Sequence, residues 1–265
     1  MSPTVKASTL MYHDVEGPDG VRGGFEGSGP AVYAVADAAF RAHMDAVERS
    51  VGRPPVTGDA LVAGRAPTGA WLLTFDDGGS SAARVGAELA RRSWPAHFFV
   101  VTDRVGEPGF LTWDEIRALA QQGHAIGSHS SSHPARISDC SDEQLRHEWT
   151  RSVELLSDAI GAPVTTASVP GGYYSPAVGR AAAAAGISCL FTSDPVRAVR
   201  SLDGYLLVGR YAVRRGTSAE QAAAAAAGRP GPWLRQRASW ELRGVAKRLA
   251  GRHYRRLRTA LLDRR

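Results

Sequence analysis

The stretch Ala70-Trp71-Leu72-Leu73-Thr74-Phe75-Asp76-Asp77-Gly78-Gly79 decides how the chain is read. Six residues with no charge and no turn former describe a strand buried on both faces, and such strands belong to parallel sheets covered by helices. Two adjacent carboxylates then end it. Successive strand residues point to opposite faces, and neighbouring carboxylates repel each other. Two readings stay open: a plain Asp-Asp-Gly turn, or a site in which one acid binds a cation and the other has a separate task.

Working outward, residues 8–13, 96–101, 124–128, 165–169, 187–192 and 206–213 read as further short strands. Between them, residues 35–49, 80–92, 113–122, 141–160 and 176–185 have helical spacing, with Thr112 as an N-cap and Gly161 and Gly186 as stops. Alternating strands and helices predict parallel βαβ units, in either a barrel of about seven strands or an open doubly wound sheet. Residues 222–227 look like a helix end, and Gly228-Arg229-Pro230-Gly231-Pro232 like a linker.

A chain of 265 residues fits one domain with a short appendage. Its net charge of +6 divides unevenly. In residues 229–265, twelve lysines and arginines stand against Glu241 and Asp263, a net +10 that leaves −4 for residues 1–228. Two units are therefore expected, a mildly acidic domain over 1–228 and a basic tail over 229–265. Leu242, Val245, Leu249, Tyr254, Leu257 and Leu261 recur in that tail at three- to five-residue steps, as in a basic amphipathic helix. Such a helix suits the barrel surface, a partner or a membrane interface, and no nucleic-acid recognition motif accompanies it. Cys140 and Cys189 make no disulfide framework. No apolar run reaches the roughly 18 residues of a membrane span, and the first residues lack a signal-like apolar segment. A cytoplasmic chain, with peripheral contact at the inner membrane face, is the expectation.

A second constellation follows another strand: Ser128-His129-Ser130-Ser131-Ser132-His133-Pro134. Two histidines four apart converge on one metal if the loop coils through about one turn, and otherwise face solvent. An aspartate and two histidines from separate strand ends would make a three-ligand site with positions left open for water and substrate, which marks a catalytic metal.

With these residues in view, the chain resembles the NodB-type polysaccharide deacetylases. Thr74-Phe75-Asp76-Asp77-Gly78, and Gly123-His124-Ala125-Ile126-Gly127-Ser128-His129 through His133, look like that family's first two motifs. Met11-Tyr12-His13-Asp14-Val15 and Ala96-His97-Phe98-Phe99-Val100 are similar to further segments of its members. The resemblance covers roughly residues 9–215. It implies a deformed (β/α) barrel, to which the basic tail helix read above would be appended, and metal-dependent removal of an N-acetyl or O-acetyl group from a carbohydrate. Carried over, it makes Asp77, His129 and His133 the metal ligands and Asp76 the general base. Zinc is the favoured ion, with cobalt, nickel, manganese and iron as the other candidates.

Two departures stand out. Val169-Pro170-Gly171-Gly172-Tyr173 resembles the third motif, but Val169 stands where the family has an arginine that orients the base. That side chain is missing or supplied from elsewhere, while Tyr173 remains a candidate for an oxyanion-binding N–H and for lining the groove. On the last strand, Arg210 stands nearest the family's acid histidine, and an arginine does not deliver protons at neutral pH. Arg210 would instead stabilise negative charge or bind an anionic substrate group. His13 and His97 are the alternatives for the acid, each also readable as a structural histidine, as is His124. Asp194 falls near the place of the fourth motif. The expected substrate is an acetylated sugar in a surface glycan or its cytoplasmic or lipid-linked precursor. A carbohydrate-binding pseudoenzyme and a non-sugar amide hydrolase on the same barrel are the rival readings.

Overall fold

The computed structural model describes residues 5–17, 20 and 22–250, the last eight of these by backbone alone. In chain order the strands are β1 (Ser8–Tyr12), β2 (Val15–Glu16), β3 (Val35–Ala36), β4 (Trp71–Phe75), β5 (His97–Val100), β6 (Ala125–Ser128), β7 (Thr166–Ser168), β8 (Cys189–Phe191), β9 (Arg200–Leu202), β10 (Tyr205–Val208) and β11 (Tyr211–Ala212). The helices are α1 (Ser28–Ala31), α2 (Asp37–Val51), α3 (Gly58–Val62), α4 (Ser81–Arg91), α5 (Trp113–Gln121), α6 (Asp142–Ile160), α7 (Pro176–Ala184), α8 (Ala219–Ala226) and α9 (Pro230–Ala250). Capping boxes start α5 at Thr112 and Glu115, and α6 at Ser141 and Gln144. Nine strands form one sheet in the order β11-β1-β4-β5-β6-β7-β8-β10-β9, parallel except for the β9–β10 pair. This is the deformed (β/α) barrel, and the open doubly wound alternative falls.

Alternation along β4 sets the layers. Trp71, Leu73 and Phe75 belong to the large core with Phe40 of α2, Leu89 of α4, Ile116 of α5 and Trp149 of α6. Leu72 belongs to a smaller interior core with Leu61, Phe99, Cys189, Phe191 and Val208. Thr74 and Asp76 continue the parity of Leu72, so the first acid of the pair enters the barrel.

Residues 206–213, expected as one strand, are two: β11 at one edge of the sheet and β10 next to the other edge. The chain leaves β10 at Gly209-Arg210 and re-enters as β11 beside β1, with Leu10 opposite Tyr211. The crossing is tight enough to require glycine: a Cβ on Gly209 would collide with the backbone carbonyls of Asp194 and Val196. Arg210 lies in this seam, and its N–H donates to the Asp194 carbonyl (2.9 Å).

The expected linker is also helical, because Pro230 and Pro232 sit in the first turn of α9, where a missing N–H costs nothing. Trp233 is buried, donating to the Ala225 carbonyl at 3.0 Å, with its ring 5.7 Å from that of Tyr211. The Gln236 side-chain amide accepts from the Ala212 N–H (2.7 Å) and donates to the Ala212 carbonyl (2.8 Å). It thereby satisfies an edge strand as a further strand would. The side chains of Val245 and Leu249, and all of Tyr254, Leu257 and Leu261, lie outside the described residues.

Close packing inside the sheet yields a first prediction. A Cβ on Gly127 in β6 would strike the Phe99 ring and the Thr166 carbonyl, one of them backbone that has nowhere to move. Gly127→Ala should lower stability by about 1–3 kcal/mol, the usual scale of overpacking, read as a reduced denaturation midpoint at unchanged slope.

Candidate active site

The functional side chains sit at or just beyond the C-terminal ends of parallel strands: His13 after β1, Asp76 and Asp77 after β4, His129 after β6, Ser168 closing β7 and Arg210 after β10. Barrel enzymes gather their chemistry at this end, where many strand termini converge and loops are free to vary.

Asp77, His129 and His133 come together as expected. One ligand atom from each lies within 4.8 Å of the others. The Nε2 atoms of His129 and His133 stand 3.4 and 3.9 Å from the Asp77 Oδ1. Asp77 (φ 73°), Ser130 (φ 64°) and His133 (φ 56°) all adopt left-handed backbone, which non-glycine residues avoid at a cost of about 1–3 kcal/mol each. Three of the four such residues among those described belong to this cluster. With this backbone, the Asp77 carboxylate stands beside the two histidines and lines one cavity with Asp76.

The serine-rich loop between the histidines is a built element. The buried Glu148 of α6 accepts from the N–H groups of Ser131 (3.0 Å) and Ser132 (2.8 Å) and from the Ser132 hydroxyl (2.6 Å). Ser128 donates to Ser152 of α6 (2.8 Å) and accepts from the Ser130 N–H (3.1 Å), while the His133 N–H donates to the Ser130 hydroxyl (3.1 Å). These bonds make the expected one-turn coil and hold His133 in its unfavourable backbone.

Asp76 is buried and its pairing is unlike anything expected for Arg210. The Arg210 guanidinium grips it with two parallel bonds, Nη1 to Oδ1 at 2.6 Å and Nη2 to Oδ2 at 2.8 Å. Nη1 also donates to the Thr74 hydroxyl (3.2 Å) and Nε to the Thr192 carbonyl (3.0 Å). Arg210 is 0% exposed and its donors are committed, so the expectation that it binds an anionic substrate group is corrected. It thus pairs with the acid that an arginine at the place of Val169 would be expected to hold, and does so from a different strand. Burial alone would raise the Asp76 pKa, but Arg210, with His129 and His13, holds it well below the usual carboxylate range.

Ser168 joins the two halves of the site. Its hydroxyl donates to the Asp76 Oδ1 (3.2 Å) and accepts from His129 Nδ1 (2.6 Å), which is also 3.1 Å from the Ser168 carbonyl. With Nδ1–H so engaged, the tautomer of His129 leaves Nε2 with a lone pair facing Asp77. Two carboxylates against one guanidinium leave excess negative charge, and the inward donor set is two imidazoles and a carboxylate. These residues fit a divalent cation.

The remaining expectations divide. His97 is fully buried between Phe99 and Phe191, accepts from the Gly58 N–H (2.9 Å), and is structural; burial lowers its pKa to about 4. His124 is structural too, bonded to the Ala96 N–H and the Gly86 carbonyl. His13, in contrast, lines a cavity with Phe25, Asp76 and Asp77. Its ring stacks on Tyr33 at 4.4 Å, and its buried Nδ1 has no hydrogen-bond partner. Burial lowers its pKa, with Asp77 and Asp76 partly opposing. Asp194 lends Arg210 a backbone carbonyl, not its carboxylate. The Tyr173 N–H, expected to serve an oxyanion, turns back onto the Pro170 carbonyl at 3.3 Å, and Arg136 lies over the ring at 4.9 Å. Phe25 went unnoticed in the sequence; its ring lies 4.8 Å from that of His133 and 5.3 Å from that of Phe110.

Comparison with known proteins agrees with this geometry. The family model for polysaccharide deacetylase matches residues 63–190. The putative polysaccharide deacetylase YxkH of Bacillus subtilis is 26% identical over 137 residues, 51% of this chain and 49% of that protein. The chain spans about half, or less, of the length of the curated relatives it matches. Among solved structures, the Streptococcus pyogenes deacetylase PplD in complex with acetate superposes with a TM-score of 0.69 at 19% identity, over 82% of this chain and 96% of that one. The polysaccharide deacetylase BC0361 of Bacillus cereus gives 0.70 at 23% identity, over 84% and 69%. At such identities the superpositions speak for the barrel, while the family match covers the Asp-Asp-Gly and His-Ser-Ser-Ser-His segments that build the site. Residues 63–190, which carry Asp76, Asp77, His129 and His133, are thus similar to the polysaccharide deacetylase family.

Proposed function

We propose that this chain is a metal-dependent hydrolase that removes an acetyl group, N-acetyl first, from a carbohydrate of a surface glycan or of its nucleotide- or lipid-linked precursor. The observation that carries the reading is the Asp77, His129 and His133 cluster beside a buried, ionised Asp76. Those three residues would hold a divalent cation, zinc being favoured by two imidazoles and a carboxylate. When bound, the cation polarises the acetyl carbonyl and acidifies water.

The protein's own groups then have separable tasks. Asp76 takes the proton of the attacking water. Its Oδ1 is engaged by both Ser168 and Arg210 and its Oδ2 by Arg210 alone, so Oδ2 is the freer acceptor. Arg210 is a positioning residue that aims Asp76 and keeps it ionised. His13, with an uncommitted ring nitrogen in the same cavity, delivers a proton to the leaving atom in place of the histidine that the last strand lacks. The buried Arg210 grip removes the main argument for a binding-only pseudoenzyme, because an ionised, aimed carboxylate beside a cation site has no use in a lectin.

Acetate release from a panel of acetylated oligosaccharides, sugar nucleotides and lipid-linked sugars, with zinc or cobalt added, tests the reading. Release should occur with the parent and not with Asp76→Asn. Absence of release from every acetylated sugar, with release from other amides, would transfer the barrel to a different substrate class.

His129→Ala should lose most of the bound metal that the parent retains when purified without chelator; equal content by elemental analysis would sink the ligand assignment. Arg210→Lys should shift the acid limb of the kcat profile to higher pH. The sign follows from Asp76: weaker pairing raises its pKa, so the active carboxylate is protonated earlier as pH falls. Arg210→Ala should instead cost stability by roughly 3–5 kcal/mol, since it leaves a buried charge unpaired. His13→Asn should keep the metal and lose about 10²–10⁴-fold in kcat, and an unchanged kcat would return His13 to a structural role.

A further inference from the structure

Of the large hydrophobic side chains that stand exposed among the described residues, three fall within nine residues of α9: Leu234 (64%), Trp240 (41%) and Leu242 (71%). Leu234, Ala238 and Leu242 recur at i, i+4 and i+8, so they share one face of the helix. Trp233 and Gln236 lie on another side, and it is they that hold α9 to Tyr211, Ala225 and Ala212. The leucine face is thus not the side by which the helix docks on its own barrel.

Charge says what would cover it. Residues 229–265 carry +10 against −4 in the rest of the chain. An anionic surface attracts this segment and mildly repels the barrel, which orients the molecule as well as binding it. A second copy of the chain is a poor occupant, since pairing two such faces brings two strongly basic segments together. Nucleic acid would use the charge but leave the leucines without a role. An anionic lipid surface uses both, with basic groups at the headgroups and leucines in the acyl boundary. No helix among the described residues is long and apolar enough to cross a membrane, which leaves contact at the surface.

The anchor lies close to the chemistry. Gln236 grips Ala212, whose partner on β1 is Met11, two residues before His13. We infer that α9 docks on an anionic lipid surface through its Leu234–Ala238–Leu242 face and brings the cavity end of the barrel to that surface. The inference goes beyond the hydrolase reading and stands without it, because its test measures no acetate.

The test is co-sedimentation of the full chain with vesicles of phosphatidylglycerol mixed into phosphatidylcholine, and with vesicles of phosphatidylcholine alone. The chain should pellet with the anionic vesicles at low salt and be released as ionic strength passes the physiological range, where screening shortens to about 8 Å. The double variant Leu234→Glu, Leu242→Glu should keep the parent's melting temperature and bind anionic vesicles at least about tenfold more weakly. Three results would overturn the proposal: a parent chain that stays in the supernatant at low salt, a double variant that binds as tightly as the parent, or light scattering that finds a dimer broken by the two glutamates. The second outcome would assign the tail to polyanions in general, nucleic acid included, and the third to self-association.

Discussion

A carboxylate inside a barrel is tolerable only with a counter-charge, and the Asp76–Arg210 pair is the constraint around which this molecule is arranged. Removing both ions from water costs several kcal/mol each, and the attraction between them offsets this only if geometry is good and the remaining donors are used. Here the guanidinium fork meets the carboxylate with both nitrogens, and Thr74 and Thr192 each take a further hydrogen. The Thr74 hydroxyl in turn donates to the Leu10 carbonyl of the neighbouring strand (2.9 Å). The pair therefore ties β1 and the end of β8 to the strand that ends in Asp76, and a change in barrel closure would be felt at that acid.

Around this pair, rigidity is spent on conformations the chain would otherwise avoid. Left-handed backbone at Asp77, Ser130 and His133 is stable only because neighbours over-determine it. The supports are specific: Glu148 under the serine loop, Ser152 under Ser128, and Ser168 between His129 and Asp76. The helix α6 that supplies Glu148 and Ser152 is itself fixed by Leu145, Trp149 and Leu156 in the main core. Geometry at the metal cluster is thus inherited from packing two layers away.

Much of the fold was legible because its signals are local. Apolar runs such as residues 70–75 and caps such as Thr112 and Gly161 fall where the sequence places them. Asp77, His129 and His133 were legible for the same reason: each motif is complete within a few residues. What escaped reading depends on distant partners. Arg210 meets an acid 134 positions earlier in the chain, and no periodicity encodes that. A signal did exist, since two departures from the family pattern, Val169 for arginine and Arg210 for histidine, make sense together as one relocated guanidinium. For His13 the sequence leaves both readings open, because its stacking partner Tyr33 and its cavity neighbours come from other segments. Ser168 and Glu148 are ordinary polar residues in sequence and acquire a task only in three dimensions.

The seam at Gly209-Arg210 has a consequence for how the molecule comes into being. Synthesis runs from the N-terminus, and β1 and β4 to β8 are all made before Arg210 is. A chain interrupted before that point has Asp77, His129 and His133 in hand, yet its Asp76 faces the interior with no counter-ion. Burial then favours the protonated acid, which cannot accept a proton. Because the contact joins such distant positions, its loop-closure entropy is met only as the two sheet edges come together. A paired Asp76 is therefore a property of the finished barrel, and a chain that stops short of Arg210 lacks it however much of its sheet has formed.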